Sequence, residues 1–313
     1  MNVFRRIFSQ SDHESGKTEP VPSRNGIEND MDEHGTNPLP LEGITRPLAG
    51  DDETPALILA HLMYGQASDL GIVRKNNQDT AHSFLSTCAS TDIRPDFGVF
   101  IVADGMGGHH DGEIASAIAA RTVVNEIVRR VFLPMVSGSD EDRPPIAEAL
   151  DAAIMKANSE VVRSVPDGGT TLTAAVIIGD LACIGHVGDS RAYLIDQRSA
   201  EQITRDHSYV QRLFELGQID ASDTSTHPIK NVLYRALGQT ESLEVDISTR
   251  RLPAYSHLLI CSDGLWGQVK DSEIVRIVNQ HDNPQAACLD LIALANQRGG
   301  IDNVTAILIK VPG

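Results

Sequence analysis

From about residue 57 onward the chain alternates short apolar runs with turns, interrupted by two long amphipathic stretches. Ile114, Ile118, Val124, Ile127, Val128 and Val131 recur at helical spacing, as do Ile146, Leu150, Ala153, Ile154, Ala157 and Val161, which predicts two helices of about 18 to 20 residues each. The runs "LTAAVIIG", "LACIGHVG" and "RAYLID" are separated only by Gly179-Asp180 and Gly188-Asp189-Ser190. Turns that tight predict antiparallel neighbours. "VFIVA" (99–103), "HLLICS" (257–262) and "NVTAILIK" (303–310) add further strands, and the last two bracket helical stretches at about 271–281 and 284–298. Residues 205–239 follow neither period and are predicted to form an irregular flap. The pattern as a whole predicts an α+β chain in which antiparallel sheets pack together and are covered by helices.

Residues 1–56 break this pattern. They carry 11 acidic against 5 basic residues, several prolines and little apolar periodicity, so a disordered acidic tail is expected before a domain spanning 57–313. Over all 313 residues, 43 acidic side chains against 26 basic ones leave a formal charge of −17. That balance excludes a nucleic-acid backbone or an anionic membrane surface as partner. The cysteines at 88, 183, 261 and 288 show no CxxC spacing, and no apolar run reaches the roughly 18 residues that span a bilayer. A cytoplasmic protein with reduced thiols is expected.

"VFIVADGMGGHHDGE" raises the question of chemistry: an aspartate at the mouth of a buried strand, then glycines, then two histidines. Either His109 and His110 serve a zinc site, or Asp104 serves a hard cation. Four more aspartates share the position of Asp104 at a strand end or strand-end turn: Asp79, Asp189, Asp263 and Asp302. Antiparallel pairing can gather all five at one edge, where they would repel one another unless cations sat among them. Oxygen donors favour Mn2+ or Mg2+ over zinc. Two such ions about 3.5 to 4 Å apart can lower the pKa of a water between them and direct it at phosphorus. Arg74, five residues before Asp79, supplies a cation for phosphate oxygens.

In order along the chain, "SDLGIVRKNNQD", "VADGMGGH", "GGTTLTAAVI", "HVGDSRAYL", "ITRDHS", "HPIKNVLYRALG", "LLICSDGLWGQV" and "DNVTAIL" resemble the motifs of the metal-dependent protein phosphatases, the protein phosphatase 2C family, and most closely its bacterial members. The resemblance covers about Met63 to Lys310. It implies a four-layer α-β-β-α sandwich and a phosphoserine/phosphothreonine phosphatase. Asp104 would bridge two metal ions, with the Gly105 carbonyl on one of them; Asp263 and Asp302 would complete the first ion's shell. Asp79 would act on the bridging water, Asp189 would help hold a third ion, and Arg74 would take the substrate phosphate. A monomer acting on phosphorylated proteins and opposing a serine/threonine kinase is implied as well.

Two residues depart from the family pattern. Gln78 stands where many members carry glutamate, and Met106 stands where animal members place a proton-donating histidine. His109 and His110 thereby become candidates for the general acid. Two alternatives remain: a non-catalytic binding module on the same fold, and a hydrolase of small phosphorylated metabolites. Leu265 and Trp266 read as core packing, and Gly168 to Thr171 as a turn entering a strand.

Overall fold

The computed structural model describes residues 60–88, 94–107, 111–138, 143–220, 223–224 and 227–313. The tail and the His109-His110 pair lie outside the described residues.

Eleven strands among the described residues form two antiparallel sheets. The first takes β1 (Met63–Asp69), β11 (Val304–Lys310), β10 (His257–Cys261), β7 (Arg191–Ile195) and β8 (Ala200–Gln202), in that order. The second takes β2 (Asp79–Ser86), β3 (Phe97–Gly107), β5 (Leu172–Ile178), β6 (Leu181–Val187) and β9 (Asp246–Arg251), with the short β4 (Gly168–Thr170) paired to the end of β3.

The period-2 alternation of the strands builds the layers. On β3, Phe100 and Val102 face Ile177, Ile184, Leu258, Ile260 and Ile307 in the seam between the sheets. Val99 and Ile101 face the opposite way, onto α1 (Asp111–Ile127) and α3 (Ile146–Ser164). On the other sheet, Leu259, Cys261, Ala306 and Leu308 face α6 (Asp271–Gln280) and α7 (Pro284–Gln297). The result is the expected α-β-β-α sandwich. After α1 the helical path continues through a π turn at Val128–Phe132 into α2 (Leu133–Ser137), so Val128 and Val131 lie beyond the regular α-helix.

One expectation is corrected. β5 and β6 are antiparallel neighbours, as Gly179-Asp180 predicts, but β6 and β7 lie in different sheets. The Gly188-Asp189-Ser190 turn carries the chain across the sandwich instead of reversing it. Gly188 has a φ of +111°, and a Cβ there would meet Thr171 side-chain carbons at 2.6 Å; only glycine allows this crossing. The flap holds the short α4 (Tyr209–Glu215), capped by the Ser208 hydroxyl, which accepts from Gln211 N–H.

Candidate active site

Antiparallel register sets Asp79, the first residue of β2, directly opposite Asp104 on β3. Asp263 opens α5 (Asp263–Trp266) two residues after β10, and Asp302 lies two residues before β11. Because β10 and β11 pair antiparallel, the end of one adjoins the start of the other. The crossing turn brings Asp189 to the same place from β6. Arg74, Asp104, Gly105, Asp189, Asp263 and Asp302 line one cleft of about 220 Å³, with Met106 and the flap residue Asn231 on its walls. Asp79 does not line that cleft but pairs with Asp104 across β2 and β3, so the structure brings six of the seven residues predicted from the sequence onto the cleft and sets the seventh next to one of them.

The carboxylates crowd one another. Burial, then the charges of Asp79, Asp263, Asp189 and Asp302, hold the Asp104 carboxyl well above the usual range. Burial and repulsion from Asp302 and Asp79 push Asp263 up to about 7. Burial pushes Asp79 up to about 6, against hydrogen bonds from Ser262 and Thr305 that favour its anion. Asp189, 7% exposed, is raised by burial and by Asp263 and Asp206. Anions this close call for a compensating cation.

Among the described residues no three histidine, cysteine, aspartate or glutamate side chains close on a single point. Asp302 is turned to Arg74, whose Nη2 donates to Oδ2 at 2.6 Å. Yet two buried oxygens, Asp79 Oδ1 and Asp263 Oδ1, have no hydrogen-bond partner, a state that costs on the order of 1–3 kcal/mol each. Oxygen donors without partners, and no histidine or cysteine among the described residues that line the cleft, fit a hard divalent cation better than zinc.

Small polar residues hold the acids in place, and the sequence reading did not single them out for that role. Thr170 Oγ1 donates to Asp104 O at 2.9 Å, Asp104 N–H donates to Thr171 Oγ1 at 2.9 Å, and Thr171 Oγ1 lies 2.7 Å from Ser190 Oγ. Ser262 Oγ donates to Asp79 Oδ2 at 2.7 Å and accepts from Thr305 N–H at 3.0 Å. Gly168–Thr170, read as a turn, is itself the strand β4 against Gly105–Gly107. Gly105 admits no side chain, because a Cβ would lie 2.1 Å from Gly112 O.

Leu265 is buried as expected, but Trp266 is not simple core packing. Its indole N–H donates to Asp189 O at 3.0 Å, and the Arg191 guanidinium lies 3.6 Å over its ring. His207 likewise ties the flap to the crossing turn, its Nδ1 accepting from Gly188 N–H at 3.1 Å. An indole or imidazole that bonds backbone groups distant in sequence leaves no local pattern by which to find it.

The profile of the family described as "Protein phosphatase 2C" matches residues 74–289. The serine/threonine phosphatase stp of Listeria welshimeri is 34% identical over 245 residues, covering 78% of this chain and 93% of that protein. Protein phosphatase PhpP of Streptococcus pneumoniae is 34% identical over 249 residues, covering 78% and 95%. The crystal structure of the Mycobacterium tuberculosis serine/threonine phosphatase PstP/Ppp superposes with a TM-score of 0.67 at 33% identity, covering 81% of this chain and 100% of that one. The PstP catalytic domain in complex with two manganese ions superposes with a TM-score of 0.65 at 32% identity, covering 80% and 99%. With four of the acids lining one cleft and Asp79 paired to one of them, and the family profile matched across more than two thirds of its length, the chain belongs to the protein phosphatase 2C family.

Proposed function

We propose that this protein is a Mn2+- or Mg2+-dependent protein serine/threonine phosphatase whose chemistry is carried by the Asp79, Asp104, Asp189, Asp263 and Asp302 cluster together with Arg74. The single observation that carries the residue assignment is the crowding of carboxylates that repel one another at one place in the fold.

Asp104, Asp263, Asp302 and the Gly105 carbonyl would hold two ions, and Asp189 would share a third with Asp263. Ions bound there supply Lewis acidity toward phosphoryl oxygens and lower the pKa of water. Arg74 would orient the substrate: its guanidinium, which donates to Asp302 at 2.6 Å, carries two parallel N–H groups that a phosphate could take in place of that carboxylate. Asp79 keeps Oδ2 on Ser262 and leaves Oδ1 to accept a hydrogen bond from the attacking water, fixing its line of approach. Met106, on the cleft wall, has no proton to donate to the leaving hydroxyl.

Phosphorylated proteins are the substrates, and a serine/threonine kinase is the enzyme this activity opposes. No helix among the described residues is long and apolar enough to cross a membrane, and we place the protein in the cytoplasm as a monomer. The test is hydrolysis of a phosphothreonine peptide with Mn2+ by Asp104→Asn and Asp263→Asn. Each is expected to lose at least about a hundredfold in kcat, on the order of 3 kcal/mol of transition-state stabilisation. Turnover equal to the unsubstituted protein in both variants would sink the assignment.

A further inference from the structure

A second cavity, of about 340 Å³, opens beside the cleft and shares Asn231, Asp263 and Asp302 with it. Its walls come from the start of α4, the Lys230-Asn231 turn of the flap, and α5. Val210, Trp266 and Ile301 give it an apolar surface. The guanidinium in its wall, Arg191, is already committed: Nε and Nη2 donate to Asp206, Nη1 donates to the Tyr193 hydroxyl, and its face lies on Trp266. Lys230 differs. Its ammonium takes part in no hydrogen bond or ion pair with the described residues, although its side chain lines the cavity.

We propose that this cavity is a second substrate subsite, which takes a glutamate or aspartate side chain close to the phosphoresidue in the substrate protein. The inference rests on the phosphatase reading above. A peptide whose phosphate lies in the first cleft continues into the second without leaving the surface, because three residues line both. A methylene stem would pack on Ile301 and Trp266 while its carboxylate meets Lys230, a cation with no hydrogen-bond or ion-pair partner among the described residues. On a chain with a net charge of −17, an acidic substrate is repelled at long range. A local unpaired cation is what selects it at the site.

The experiment uses the Mn2+-loaded full chain on two kinds of substrate. One is a set of phosphothreonine peptides carrying Glu, Leu or Lys at each of the three positions on either side. The other is p-nitrophenyl phosphate, which has no flanking residue. At one position, kcat/KM for Glu is expected to exceed that for Lys by about fivefold, the scale of an exposed ion pair, and the ratio should shrink at high salt. Lys230→Gln should flatten that ratio and Lys230→Glu should invert it. Equal rates for Glu, Leu and Lys at every position, with p-nitrophenyl phosphate still hydrolysed, would overturn the subsite and leave the phosphatase reading intact. A Glu preference that persists unchanged in both Lys230 variants would also overturn it. Failure of the unsubstituted protein to hydrolyse any of these substrates would remove both.

Discussion

Asn303 shows how much one side chain can hold. It is 5% exposed; its Nδ2 donates to Leu70 O at 2.9 Å and Asn76 O at 3.0 Å, and its Oδ1 accepts from Gln78 N–H at 2.9 Å. These three bonds pin both ends of the loop that carries Arg74. Replacing Asn303 by leucine keeps the approximate volume but removes all three of these bonds. At 1–3 kcal/mol per unsatisfied buried group, less what water recovers, the expected loss is about 3 kcal/mol of stability. Because the loop positions the phosphate-binding guanidinium, KM for a phosphopeptide should rise as well. Thermal unfolding and steady-state kinetics measure the two effects. A variant with an unchanged melting temperature would show that the loop is held by something other than this amide.

At the scale of elements, strands buried on one or both faces were legible and edge strands were not. β3, β5, β6, β10 and β11 announce themselves by apolar runs because both of their faces meet protein. β1 and β9 are edges, with mostly exposed or half-buried side chains, and a strand with one wet face and one open edge carries little hydrophobic signal. The five site aspartates were legible for a related reason, since each sits where a run begins or stops. Thr170, Thr171, Ser190 and Ser262 were not, because a serine or threonine that bonds an aspartate backbone looks in sequence like any turn residue. The connection at Gly188-Asp189-Ser190 misled most: its length suits a hairpin, and only the three-dimensional register shows that it crosses from one sheet to the other. That crossing makes Gly188→Ala a sensitive test. A φ of +111° is strained for alanine, and its methyl would meet Thr171, whose hydroxyl holds Asp104 N–H. A loss of about 1–3 kcal/mol is expected in a denaturant titration, together with lower activity as Asp104 shifts. Full stability and activity would mean that the crossing tolerates a side chain.

Over the whole molecule, the acidic cluster couples the stability of the fold to pH and to divalent metal. Asp79 and Asp263 move from an ordinary 3.8 to about 6 and about 7 in the folded chain. The folded state therefore binds more protons than the unfolded state between these values. Their contribution is fully present below pH 3.8 and is lost as pH rises through about 7. His186 acts in the opposite direction: burial, then the neighbouring His207, lower it from 6.5 to about 3, so the fold loses stability as pH falls across that interval. A melting curve against pH in chelator mixes the two. The increment produced by Mn2+ separates them, because the ion competes with protons for the carboxylates and not for His186, which bonds Thr173 and Arg205 O away from the cleft. For each proton displaced, metal affinity should rise by up to about tenfold per pH unit, and the gain in melting temperature from a fixed Mn2+ concentration should be distinctly larger near pH 7.5 than near pH 5.5. Asp263→Asn removes one of the groups that must lose its proton, so both the gain and its pH dependence should shrink. An increment independent of pH in the unsubstituted chain would show that Mn2+ binds somewhere other than this cluster.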